Sequence, residues 1–245
     1  MKNIEGWETP KVILVVLAHP DDPEFFLGGS IARWHKAGHT IRYVLLTKGD
    51  KGANQSQMSN EDIIIIREKE QEKAARFLGV SSVSYLNCHD GYVIPDLEIR
   101  KQVVRVIRQH QPNILVTCDP TNFFPNSHYI NHPDHRYAGQ IVIDAVFPAV
   151  GNRFFFPELI EEGFLPHEVE EVWMSLTNSP NVSLDVTEFW REKIEALKKH
   201  SSQIGDPEAF EKRMLKRVRD DNSVPFRHEE QFRVINFWRP NENNN

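Results

Sequence analysis

His19, Asp21 and Asp22 fall in HPDD at 19–22, directly after the apolar run Val12 to Leu17, and His132, Asp134 and His135 fall in HPDH at 132–135. Taken singly, the first segment is a polar turn closing a strand and the second a helix start with an acidic first turn. Taken together they suit an open metal site. A closed structural zinc site takes about four ligands, often cysteines, whereas a catalytic one uses about three protein ligands and leaves a position for water. His19, Asp22 and His135 supply three. The spacing of three between His19 and Asp22 lets one tight turn, stiffened by Pro20, direct both at one ion. Asp21 must then point elsewhere, and beside a cation it can take a proton from a water whose pKa the ion lowers towards ~7. His132 can line the same cavity. As an imidazolium it stabilises an oxyanion and protonates a leaving amine, with Asp134 orienting it. These are the parts for hydrolysing a carbonyl compound through a tetrahedral intermediate.

Positioning them requires a sheet. KVILVVLA, 11–18, is a continuous β-branched run of the kind buried on both faces of a parallel sheet. SIARWHKAG after Gly28 and Gly29 reads as a helix ending at Gly38, and TIRYVLLT, 40–47, as a second strand. A long polar loop, 48–60, leads to a helix at 61–78, and SVSYLN makes a third strand. A helix at 98–110 precedes the fourth strand, NILVTC at 113–118, and after a proline-bearing loop Pro133 opens a further helix. EVWMSL and NVSLDV read as short strands, and TEFWREKIEALKKH as a helix. This alternation predicts an α/β fold: a Rossmann-like, doubly wound, mostly parallel sheet with helices on both faces. In such sheets ligands bind outside the carboxyl ends of the strands, where strand order reverses. HPDD follows strand one and HPDH follows strand four, so the two segments are expected to meet there.

Size and composition narrow the classes. The chain has 245 residues, 40% hydrophobic and 26% charged, with a net charge of −6. A single domain over 1–240 with a frayed NENNN tail at 241–245 is expected. The negative balance argues against nucleic acid and favours a small-molecule partner. Cys88 and Cys118 are too few for a disulfide framework, which points to a reducing cytoplasm. The run at 12–17 is far below the ~20 apolar residues of a membrane span and lacks a cleavage site.

AHPDDPE at 18–24, Gly28 with Gly29, TKGDKG at 47–52, Arg67 with Glu70, AARFLGV at 74–80 and HPDH resemble the LmbE or PIG-L family of zinc-dependent N-deacetylases. KIEALKKHSSQ at 193–203 extends the resemblance to about residue 200. It implies zinc held by His19, Asp22 and His135, with Fe2+ or another divalent metal as an alternative, Asp21 as general base, His132 at the oxyanion, and an N-acetylglucosamine-type amino sugar or its conjugate as substrate. It also suggests that Arg67 touches the sugar or an acidic aglycone, against the plainer reading of a solvated helical face with Gln71 as its i+4 partner. Glu24 is given no catalytic role, and His89, Asp90 and His128 are left as loop residues. Asn54 and Tyr129 are rim candidates, and His200 reads as a helix-end cap. KRMLKRVR, 212–219, reads as a packed helix rather than an RNA site.

Two histidines and a carboxylate also suit a non-haem iron oxygenase, and a Rossmann-like sheet also suits a non-catalytic sugar binder. Specificity is expected in loops 48–60, 119–131 and 150–168. FFFPELI, 154–160, is an apolar stretch suited to an interface in a homo-oligomer.

Overall fold

The computed structural model describes residues 5–52, 58–216 and 227–237. In chain order the strands are β1 (Val12–Leu17), β2 (Thr40–Thr47), β3 (Ser82–Cys88), β4 (Ile114–Cys118), β5 (Glu171–Ser175), β6 (Val182–Asp185) and β7 (Glu229–Asn236). The helices are α1 (Asp22–Lys36), α2 (Asn60–Phe77), α3 (Leu97–His110), α4 (Pro133–Asp144), α5 (Glu158–Glu161), α6 (Trp190–Leu197), α7 (Ser201–Ile204) and α8 (Pro207–Leu215). A π-helical segment follows α4 at Ala145–Val150, and a 3-10 turn precedes α6 at Thr187–Phe189.

One sheet runs in the order β3-β2-β1-β4-β5-β7-β6. The first five are parallel, and β7 is antiparallel to both its neighbours. The doubly wound expectation therefore holds. β7 is the strand the sequence reading lacks, because HEEQFRVINF carries charge in place of the buried run that marks β1 and β4.

Alternate residues of each strand face opposite helical layers. Ile13, Val15, Leu17, Tyr43 and Val116 pack under α1, α6 and α8 with Trp34, Ile194 and Phe210. Leu14, Val16, Val44 and Leu115 pack under α3 and α4 with Val103, Ile107, Ala138 and Ile141. Each large apolar side chain so withdrawn from water contributes roughly 1.5–3 kcal/mol, and a sheet loaded on both faces has its strand ends as the open surfaces.

α2 starts where expected, through a capping box in which Ser59 Oγ accepts from Asp62 N at 3.1 Å. α1 begins earlier than its expected start after Gly29. Pro23 suits a helix start, and Asp21 precedes it in the left-handed region with φ 84°. The helix bends at Leu27, and Glu230 of β7 accepts from the N–H groups of Gly29 and Ser30 at 3.0 and 2.7 Å, capping the restarted turns. Gly29 is needed there for space, since a Cβ would lie 2.7 Å from Val186 Cβ.

The 150–168 segment lies at the amino edge of the sheet, where His167 Nε2 meets the Pro112 carbonyl just before β4 at 2.7 Å. This corrects its expected place among the specificity loops. Within it, Phe154 is exposed, Phe155 and Phe156 pack against the core and Leu159 is buried. No helix among the described residues is long and apolar enough to cross a membrane.

Candidate metal centre and active site

β1 turns back beside β4, so the strand order reverses between them and the segments leaving their carboxyl ends share a crevice. His19, Asp21 and Asp22 leave β1, while His132, Asp134 and His135 open α4 after the β4 loop. All six are brought together.

His19 Nδ1 lies 3.3 Å from His135 Nε2 and 3.4 Å from Asp22 Oδ2, and His135 Nε2 lies 3.1 Å from Asp22 Oδ1. Three donors about 2.0–2.1 Å from a tetrahedral ion stand about 3.3 Å apart, so the spacing suits one small cation. The remaining ring nitrogens specify the tautomers. His19 Nε2 faces Asp90 Oδ1 at 3.1 Å and Asp134 Oδ2 at 3.4 Å, which calls for a proton there. His135 Nδ1 faces Asn131 Oδ1 at 3.1 Å, which calls for the same. The two nitrogens that face each other then carry lone pairs beside a carboxylate, an arrangement that needs a cation or a proton.

The electrostatics agree. Burial opposes charge on His19, but Asp22, Asp134 and Asp90 outweigh it and raise the imidazole well above its usual range. Burial by itself would raise Asp22, yet His135 and His19 hold it well below. Burial likewise opposes Asp90, whose bond to His19 brings it down to about 2.

Asp21 and Asp22 separate through the backbone. The left-handed φ at Asp21 turns its carboxylate to Arg67 Nη2 at 3.2 Å while Asp22 faces the histidines. Burial pushes Asp21 up to about 6, opposed by Arg67 and reinforced by Asp22.

Arg67 does not stand on a solvated helical face. It is buried, and its guanidinium donates to the carbonyls of Pro20 at 2.7 Å and Gly49 at 2.9 Å besides pairing with Asp21. This explains the glycines of TKGDKG, because a Cβ at Gly49 or Gly52 would lie 2.2 or 2.1 Å from Arg67 Nη1.

Asp134 meets a different partner from the His132 ring expected of it. The carboxylate of Asp134 meets His19 and accepts from Gly91 N at 2.7 Å, while His132 Nδ1 accepts the backbone N–H of Asp134 at 3.2 Å. An imidazole accepting at Nδ1 is neutral and carries its proton on Nε2. Burial, with His19 and His135 adding, lowers His132 from its ordinary value. With Nδ1 accepting, Nε2 is the ring nitrogen left to donate.

The sequence reading passed over Asp90 and Asn131. The usable signal for both was position, since each follows a strand at this same edge. Two further groupings, His19 with His132 and His135, and His19 with Asp90 and Asp134, also have ligating atoms within 4.8 Å. In the second, the carboxylates accept from His19 Nε2–H. Asn54 lies outside the described residues.

A groove of about 680 Å3 opens beside His135 and Asn131 and runs between Phe26, Tyr129, Leu176 and Trp190. In its wall the buried Lys193 ammonium is engaged by Glu230 at 2.6 Å.

Fold and site together define a Rossmann-like α/β protein with a two-histidine, one-carboxylate centre at its switch point. The family model for GlcNAc-PI de-N-acetylase, PIG-L, matches residues 14–146, 133 of the 245, and the chain belongs to that family. It is 34% identical over 200 residues to the diacetylchitobiose deacetylase of Thermococcus kodakarensis, covering 82% of this chain and 73% of that one. It is 27% identical to a probable N-acetyl-α-D-glucosaminyl L-malate deacetylase 2 of Bacillus anthracis, covering 78% and 81%. Among solved structures, the N,N'-diacetylchitobiose deacetylase of Pyrococcus horikoshii superposes with a TM-score of 0.83 at 28% identity, over 96% of this chain and 89% of that one.

Proposed function

We propose that the protein is a zinc-dependent hydrolase that removes the N-acetyl group from an N-acetylglucosamine-type amino sugar carried on a further group. The observation that carries this reading is the convergence of the His19 and His135 lone pairs on the Asp22 carboxylate, with a second carboxylate, Asp21, turned aside next to them.

In this reading His19, Asp22 and His135 hold the cation. When bound, it polarises the amide carbonyl and acidifies a water. Asp21 takes the proton of the attacking water, with Arg67 fixing one oxygen of its carboxylate. His132 donates from Nε2 to the oxygen that becomes negative as the amide carbon turns tetrahedral. A neutral imidazole whose Nδ1 already accepts a bond has no spare proton for the amine, so Asp21 returns the proton it took to the departing nitrogen. Asp90 and Asp134 keep His19 in the tautomer that ligates, and Asn131 does the same for His135.

The aglycone lies in the groove, where Phe26, Tyr129 and Trp190 suit the apolar faces of sugar rings. The relatives act on both a neutral disaccharide and an acidic conjugate, by their names. The engagement of Lys193 by Glu230 and of Arg67 by the β1 turn favours the neutral class.

The deciding experiment measures acetate release from N-acetylglucosamine, N,N'-diacetylchitobiose and the malate and inositol conjugates, with metal analysis of the same sample. Acetate released by zinc-loaded protein, greatest with the disaccharide, is expected. Bound metal with no acetate from any of them supports a binding protein, and oxygen uptake with Fe2+ and an oxo-acid supports an oxygenase.

A further inference from the structure

Asp21 is an aspartate in a backbone conformation that non-glycine residues seldom adopt, and its orientation away from Asp22 depends on that conformation. Something must hold it there. The Asp21 backbone N–H donates to Gln71 Oε1 at 2.8 Å. Gln71 is fully buried, one helical turn beyond Arg67 on the inner face of α2, so one residue of this face grips the Asp21 carboxylate and the next grips its backbone. The other end of the Gln71 amide donates from Nε2 to both Glu24 oxygens, at 3.0 and 3.2 Å. Glu24, itself fully buried, meets His200 Nε2 at 3.1 Å, and His200, also fully buried, lies between α6 and α7 as the residue that precedes α7.

The direction of this chain is determined at both ends. A backbone N–H can only donate and therefore requires the amide oxygen. The Glu24 carboxylate accepts and therefore requires the amide NH2. Reversing the amide would leave a donor against a donor and an acceptor against an acceptor in a dry interior, a costly arrangement. A buried acid and a histidine 176 positions apart are expensive to bring together and contribute little net stability by themselves.

We propose that Gln71 is a positioning residue for the general base, and that the Glu24–His200 pair serves to lock the Gln71 amide in the orientation that holds the Asp21 N–H. This rests on the reading of Asp21 as base. It gives a role to Glu24 and His200, and it makes α2 and the α6–α7 junction part of the catalytic apparatus although they carry no catalytic residue.

The test compares Gln71→Leu, Gln71→Glu and the exchanged pair Glu24→Gln with Gln71→Glu, measuring metal content, kcat, KM and hydrogen exchange at the Asp21 amide. Gln71→Leu is expected to keep its metal and KM, to lose kcat roughly 10–100-fold, and to exchange faster at Asp21. Gln71→Glu sets two carboxylates face to face and is expected to do worse. In the exchanged pair residue 24 again offers an NH2 to residue 71 and an oxygen to His200, so Asp21 protection and part of kcat should return. A merely structural contact would lower thermal stability without splitting kcat from KM. Unchanged kcat and unchanged Asp21 exchange in Gln71→Leu overturn the proposal. If Gln71→Leu does not fold, failure of the exchanged pair to recover relative to Gln71→Glu overturns it. Amide exchange reads the positioning even in a protein that releases no acetate, so loss of the deacetylase reading and loss of this one are separate results.

Discussion

His19 Nδ1 and His135 Nε2, 116 positions apart in the chain, face each other at 3.3 Å with the Asp22 carboxylate closing the triangle. Each ring is turned by a partner on its other nitrogen, Asp90 and Asp134 for His19 and Asn131 for His135. The proposed mechanism separates holding the metal, at His19, Asp22 and His135, from moving the proton, at Asp21. His19→Ala and His135→Ala are expected to lose both bound zinc and activity, whereas Asp21→Asn should keep stoichiometric zinc and lose roughly 10²–10⁴ in kcat. Metal analysis beside single-turnover kinetics checks this, and wild-type turnover by Asp21→Asn removes Asp21 from the mechanism.

Acidity should act twice. Burial pushes Asp21 up to about 6, and a base must be deprotonated to work, so activity is present above that value and falls as pH drops through it. A bound cation draws the value down, which puts the acid limb of kcat/KM at or below about pH 6. The carboxylates around His19 raise it well above the ordinary imidazole range, so protons compete with zinc there and binding should release protons. Calorimetry in buffers of different ionisation enthalpy measures that release.

In the proposed mechanism His132 acts through one N–H. His132→Ala is expected to cost about 10²–10³ in kcat, the usual loss for one oxyanion donor, while His132→Gln, which keeps a donor, should retain more. If the basic limb of the pH profile moves with His132, the ring carries a second proton after all and the neutral assignment is wrong.

Arg67 offers a test between contact with substrate and support of the turn. Its guanidinium is engaged by Pro20, Gly49 and Asp21, so Arg67→Lys should lower kcat by a similar factor for every aglycone and leave the ranking of substrates unchanged. A loss confined to acidic conjugates would support the substrate role expected from the sequence.

Lys193 and Glu230 concern stability. Both are nearly fully buried, and Lys193→Met takes the ammonium from the Glu230 carboxylate, which keeps the N–H groups of Gly29 and Ser30 and the Ser30 hydroxyl but no cation partner among the described residues. Breaking such a pair costs roughly 3–5 kcal/mol, which for a chain of this size lowers Tm by about 6–20 °C. Lys193→Met with Glu230→Gln should recover part of it, as calorimetry or circular dichroism will report.

What the sequence determined by itself is the fold and the six residues at its switch point. Continuous β-branched runs such as Val12 to Leu17 can be buried on both faces only in a parallel sheet, and the order of strands then sends HPDD and HPDH to one edge. β7 escaped because a strand that pairs antiparallel near a sheet end and carries Glu229, Glu230 and Arg233 shows no buried run. Side-chain partnerships were settled only by the tertiary structure. Arg67 and Gln71 have the spacing of a solvated i,i+4 pair, and nothing local shows that α2 turns that face inward onto Asp21. Asp90 could be located at the right edge but not aimed, Asp134 faces His19 rather than its neighbour His132, and Glu24 meets His200 across most of the chain. Periodicity and strand order are written in local patterns of apolarity. Which polar atom meets which depends on helix rotation, a single left-handed residue and the packing of distant elements, and those are properties of the folded chain.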